Sequence, residues 1–184
     1  MGHALSMARV SHLLLCSALL VPAALATTAT TGCASSEQML SVGDPTPKLS
    51  ATGHEGTQLD LGALDKPTLV YFYPRDGTPG CTKEACAIRD IWNEYEAAGV
   101  LVVGVSTDDK TSHEKFAAEH ELPFPLVADT DKEWAKSFGV SSRAGFLERV
   151  SFLLAPDGTI AKVYPGVDPG IHAREVLDDV AAMN

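Results

Sequence analysis

The sequence reads as an α/β domain: three layers, α/β/α, around a mixed sheet with a parallel centre and an antiparallel C-terminal hairpin. Three observations predict it. "TLVYFY" (Thr68–Tyr73) is a β-rich run without polar alternation, as in a strand buried on both faces. Strand-like runs and segments of helical period then alternate along the middle of the chain, the order that makes crossover units. Finally "RVSFLLAP" and "TIAKVYPG" flank Asp157-Gly158, a favoured two-residue turn, and read as a hairpin.

The elements follow in order. After the first strand and a Pro/Gly-rich connection, Ile88, Ile91, Trp92 and Tyr95 form one apolar stripe of a helix that stops at Gly99. "VLVVGVS" (Val100–Ser106) is a second buried strand. "TSHEKFAAEH" reads as a helix opened by a Thr111/Glu114 capping box, and "FPLVAD" as a short strand. "TDKEWAKSFG" carries a second box, Thr130/Glu133, with Gly139 at its end. A closing helix runs from about His172 to Ala182, with Val176, Leu177 and Val180 on one face. There is no internal repeat, and residues 41–184 are expected to form one domain.

The first 36 residues contain Arg9, no acidic residue, and the apolar run "LLLCSALLVPAALA" (Leu13–Ala26). That run is shorter than the roughly 20 residues a bilayer-crossing helix needs, and it reads as an export signal. Two processing routes fit. "ALA" (Ala24–Ala26) suits simple cleavage, whereas "TTGC" (Thr30–Cys33) resembles a bacterial lipobox, with Cys33 as the lipidated residue and residues 34–40 as a polar tether. The lipoprotein route is favoured, because simple cleavage would export an odd thiol. The expected location is outside the cytoplasm, in the periplasm or on a membrane through the lipid.

Composition narrows the partners. The 184 residues are 45% hydrophobic and 21% charged, as in a globular protein, and the formal net charge is −10. That charge argues against nucleic acid and against an anionic membrane surface, leaving a lipid anchor as the membrane contact. No histidine pair or cysteine set has metal-ligand spacing, so no metal and no cofactor are expected. His113, His120 and His172 are expected on solvated helix faces.

Chemistry concentrates in "PRDGTPGCTKEAC" (Pro74–Cys86). Pro74, Gly77, Pro79 and Gly80 shape the connection, and Cys81 falls in the first turn of a helix, where free N–H groups favour an anion. Thr78 can bring its hydroxyl beside the sulfur. A thiolate alone is a modest catalyst. Lowering a thiol pKa from about 8.5 to about 6 raises the thiolate fraction roughly 30-fold at pH 7, while intrinsic nucleophilicity falls roughly 10- to 18-fold. Donors aimed at the developing charge must supply the rest.

The string Pro74-x-x-x-Thr78-x-x-Cys81 resembles the peroxiredoxin active-site motif, and "TPGCTKEAC" is similar to the bacterioferritin-comigratory-protein or PrxQ branch. The likeness extends through "VGDPTPKL", "VVGVSTDD", "FPLVADTD" and "SFLLAPDG". It implies a thioredoxin-like fold and a thiol-dependent peroxidase acting on hydrogen peroxide and organic hydroperoxides. It also implies Cys81 as the peroxidatic cysteine, Cys86 as the resolving one, Arg149 as the activating cation, Pro74 as a shield and Thr78 as a holder of sulfur and peroxide. A Cys81–Cys86 disulfide, recycled by thioredoxin or a thioredoxin-like dithiol, completes the implied cycle, and a monomer is expected over a dimer. On a continuous helix the two cysteines lie roughly 140° apart around the axis and about 7.5 Å apart along it. A disulfide needs closer, facing positions, so the helix start is expected to unwind after oxidation. The competing readings are a structural disulfide, an exported thioredoxin-like reductase or metallochaperone, and a non-catalytic binding lipoprotein.

Overall fold

The computed structural model describes residues 38–183. The expected export signal, residues 1–33 with Cys33, lies outside them. The chain enters through a short antiparallel pair, β1 (Ser50–Thr52) and β2 (Gln58–Asp60), and continues into β3 (Thr68–Phe72), α1 (Pro79–Asp90), α2 (Trp92–Ala97) and β4 (Leu101–Ser106). Then come α3 (Lys110–His120), β5 (Leu126–Ala128), α4 (Glu133–Phe138), the two-residue strands β6 (Ser142–Arg143) and β7 (Phe146–Leu147), the hairpin β8 (Val150–Leu154) and β9 (Ile160–Pro165), and α5 (His172–Ala182).

The main sheet has the order β5-β4-β3-β8-β9. β3, β4 and β5 are parallel, whereas β8 runs antiparallel to β3 and β9 antiparallel to β8. Every residue of β3 is buried, which explains its unbroken apolar run. Its side chains alternate between two cores. Leu69 and Tyr71 join Ala85, Ile88, Tyr95, Phe116, Val176 and Val180 under α1, α2, α3 and α5. Val70 and Phe72 join Trp134 and Phe138 of α4, with Leu49, Leu59 and Leu61 of the N-terminal segment. Phe72, Phe138 and Phe152 pack with ring centroids 4.9–6.0 Å apart, each pair contributing about 0.5–1.5 kcal/mol beyond area burial. Gly104 in β4 makes room for Tyr71: a Cβ there would lie 2.7 Å from the Tyr71 hydroxyl. The three-layer mixed fold is as the sequence predicts, with the parallel strands forming one half of the sheet.

Several local expectations are corrected. The helix after Cys81 breaks at Ile91 (φ −116°, ψ 25°), so the stripe Ile88–Tyr95 is shared by α1 and α2. Asp109, not Thr111, caps α3, accepting from Ser112 N at 2.8 Å. A carboxylate two residues earlier outcompetes the Thr hydroxyl for the same free N–H groups. At α4 the Asp129 carboxylate accepts from Trp134 N and Ala135 N (3.0 and 2.8 Å), taking the place assigned to the Thr130/Glu133 box. His113 and His172 are fully buried rather than solvated. Residues 38–40, read as the end of a tether, pack on the domain: Leu40 N donates to Phe138 O, and a Cβ at Gly139 would meet Gln38 O at 2.3 Å. Among the described residues no helix is long and apolar enough to cross a membrane.

Candidate active site

β3 delivers the chain into the connection Tyr73–Thr78, where Gly77 takes a positive φ of 67° that a side chain would resist. Thr78 is extended (φ −77°, ψ 147°) and serves as N-cap residue, and Pro79 opens α1 with a φ suited to the first helical position. Cys81 is therefore the third helical residue, within the first turn, its residue 1% exposed. That position lies at the end of the helix where amides are free and the macrodipole is positive.

Arg149 arrives from the other half of the sheet. Val150 pairs with Phe72, so Arg149 stands just beyond the end of β3, over the start of α1. Its Nη2 donates to Cys81 Sγ at 3.1 Å, and its Nη1 donates to Glu84 Oε2 in an ion pair. Gly80 allows this approach: a Cβ there would lie 3.3 Å from Arg149 Nη2. Glu84, three residues after Cys81 on the same helix face, is 1% exposed. Burial pushes its carboxyl up to about 7, against the opposing pull of Arg149. Burial works against the Arg149 cation, yet Glu84 and the Cys81 sulfur outweigh it and hold the guanidinium above its ordinary value. One fixed cation thus faces both a sulfur and a carboxyl in a site of low dielectric.

The other predicted residues are less uniformly placed. Pro74 is half-buried and lines a groove of about 480 Å³ with Ser141, Arg143, Phe146, Leu147 and Glu148. The Thr78 hydroxyl donates to the Arg75 carbonyl at 3.1 Å, not to the sulfur. Cys86 and Cys81 are both free thiols, with Cys86 partly exposed. Among the described residues no group of three or more His, Cys, Asp or Glu is arranged to hold a metal ion. Glu84 escaped the sequence reading. Its one signal was position, as a lone acid on the stripe formed by Cys81, Ala85 and Ile88.

Below the site His172 Nε2 lies 2.9 Å from Ser151 Oγ, and Ser151 pairs across the sheet with Tyr71. Burial, then the Arg149 cation, lowers His172 to about 4. The unfolded imidazole takes a proton as pH falls through about 6.5, and the folded one only near 4. Acidification across that window should therefore cost about 3 kcal/mol of stability through this group. Urea denaturation of wild type and His172→Gln checks it: the stability difference between them should shrink by about that amount from pH 7 to pH 4. Parallel curves would contradict the assignment.

The AhpC/TSA family matches residues 42–163. The putative peroxiredoxin bcp of Coxiella burnetii is 39% identical over 146 residues, 75% of this chain and 97% of its own. Peroxiredoxin Bcp of Escherichia coli is 37% identical over 147 residues, covering 76% and 94%. Among solved structures, the bacterioferritin comigratory protein of Xanthomonas campestris, studied for its alkyl peroxide reduction activity, superposes with a TM-score of 0.71. It is 32% identical, over 78% of this chain and 97% of that one.

Proposed function

The chain belongs to the AhpC/TSA family, as a peroxiredoxin of the Bcp/PrxQ branch, and from that membership we propose roles for its residues in a thiol-dependent peroxidase. The observation that carries them is the Arg149 Nη2–Cys81 Sγ contact at a buried helix start. The Cys81 thiolate attacks one oxygen of a hydroperoxide; the S–O bond forms, the O–O bond breaks, and the departing hydroxide or alkoxide takes a proton. Arg149 and the helix-start amides stabilise the charge that spreads over sulfur and both oxygens. Thr78, whose proton is committed to the Arg75 carbonyl, offers a lone pair to the hydroperoxide O–H and so orients it. Pro74 shields one side.

Cys81 emerges as a sulfenic acid. The Cys86 thiol condenses with it to a disulfide, releasing water, and a thioredoxin-like dithiol restores both thiols by exchange. The intact α1 holds the sulfurs apart, so the segment 81–86 unwinds first, breaking the Glu84–Arg149 pair and lifting Cys81 and Ala85 from the core. The groove beside Pro74, lined by Phe146 and Leu147, suits organic hydroperoxides alongside hydrogen peroxide. Stopped-flow mixing of reduced protein with hydrogen peroxide and with cumene hydroperoxide tests this: both should give a rapid, stoichiometric first phase, and its absence with both would defeat the reading.

The N-terminal features support export, with lipidation at Cys33 and the domain outside the cytoplasm. Mass spectrometry of the mature protein tests the anchor. A diacylglyceryl-modified Cys33 at the new N-terminus is expected, whereas an N-terminus at Thr27 would replace lipidation with simple cleavage.

A further inference from the structure

A second polar cluster lies beside the site, and the chemistry above leaves it unused. Asp76, in the middle of the connection between β3 and α1, points inward with its side chain 6% exposed. Its Oδ1 accepts from the Tyr73 hydroxyl at 2.8 Å. Its Oδ2 accepts from Ser112 Oγ at 2.7 Å and from His113 Nδ1 at 2.9 Å, and the His113 side chain is fully buried. The Asp76 amide in turn donates to Asp108 Oδ2 at 2.9 Å, and Ser106 Oγ donates to the same oxygen at 2.8 Å. Burial alone would push the Asp76 carboxyl upward. The donors His113, Ser112 and Tyr73 outweigh it and hold the group below its ordinary value, so it is a carboxylate at neutral pH.

Burying a carboxylate under three donors is costly unless every partner is in place. A helix start preceded by a short connection has no need of one, because Pro79 already fixes the entry into α1. What the cluster does accomplish is geometric. It ties the middle of a glycine-containing connection to the first turn of α3, at the stretch whose Arg75 carbonyl accepts the Thr78 hydroxyl. With Asp76 fixed from both its side chain and its amide, the neighbouring Arg75 peptide is fixed as well.

We propose that Asp76 and His113 are positioning residues for the peroxidatic step, clamping the connection to α3 so that the Arg75 carbonyl holds the Thr78 hydroxyl at the hydroperoxide. The proposal rests on the peroxidase reading and names two residues that touch neither sulfur nor substrate. Their effect passes through the orientation of Thr78, so it is read in the rate of Cys81 oxidation rather than in the supply of thiolate.

The test is stopped-flow oxidation of the full-length chain by hydrogen peroxide, with rates expressed per folded, titratable Cys81. His113→Leu and Asp76→Ala should each lower the second-order rate constant about 10- to 100-fold, the scale set by small misplacements of reacting groups. The double variant should be no slower than the slower single, because the two act as one clamp. His113→Asn, whose side-chain N–H takes the place of Nδ1–H, should return the rate to within about threefold of wild type. If His113→Leu does not fold, Tyr73→Phe and Ser112→Ala each remove one donor and should each cost a several-fold loss of rate. Wild-type rates in the variants, or His113→Asn as slow as His113→Leu, would overturn the clamp while leaving the peroxidase reading intact. A wild-type chain without a fast phase would overturn that reading, and the clamp with it.

Discussion

Cys81→Ser abolishes the fast phase of peroxide consumption and leaves the fold in place. The sulfur is the one nucleophile that both Arg149 and the start of α1 address, and a serine hydroxyl is not ionised at neutral pH. Serine differs from cysteine by one atom at a buried position, and Arg149 keeps its ion pair with Glu84, so the loss is chemical rather than structural. Stopped-flow assays with circular dichroism on the same sample check both halves. Residual fast consumption in a folded Cys81→Ser protein would move the reaction to another thiol.

Arg149→Met separates chemistry from stability. Removing a donor aimed at developing charge costs about 10²–10³ in rate. The same change strands Glu84, buried among apolar side chains, and breaking one side of a buried pair destabilises by about 3–5 kcal/mol. Glu84 has a way out, because its carboxyl already sits near 7 and takes a proton once its cation is gone. The folded state then binds a proton that the unfolded state, near 4.5, has released, so stability falls as pH rises from about 5 to 8. Arg149→Met should thus be close to wild-type stability at pH 5 and clearly weaker at pH 8. Adding Glu84→Gln should recover stability at pH 8 without recovering the rate. Urea denaturation at the two pH values and peroxide kinetics read the two effects independently, and a rate that recovered with stability would mean that Arg149 acts through packing alone.

Much of the architecture was legible because local pattern and tertiary role agree. "TLVYFY" is buried along its length and forms the strand between the parallel and antiparallel halves of the sheet. The closing helix occupies His172–Ala182 as its apolar face predicts. Pro79 and Thr78 place Cys81 in a first helical turn, and that placement follows from backbone chemistry alone. The less legible features depend on partners distant in sequence. Glu84 sits on the apolar stripe of α1, yet nothing near it in sequence supplies a partner until Arg149, 65 residues away, folds over it. His113 and His172 did carry a signal, lying four residues before the buried Ala117 and Val176 on the same helix faces. Polarity outweighed periodicity in assigning them to the surface. Asp76 gave none, because an acid beside glycine in a turn is the ordinary occupant of such a site.

The Glu84–Arg149 pair also bears on the resolving step, since it lies between the two cysteines and pins α1 to the strand end. Peptide mapping of the protein after one equivalent of hydrogen peroxide shows which thiol reacts first and which one resolves it. Attack by Cys81 followed by resolution at Cys86 leaves a Cys81–Cys86 disulfide in wild type and a sulfenic acid trapped on Cys81 in Cys86→Ser, and that sequence of steps is what the mapping reads. Oxidation confined to Cys86, or a disulfide that excludes Cys81, would contradict it.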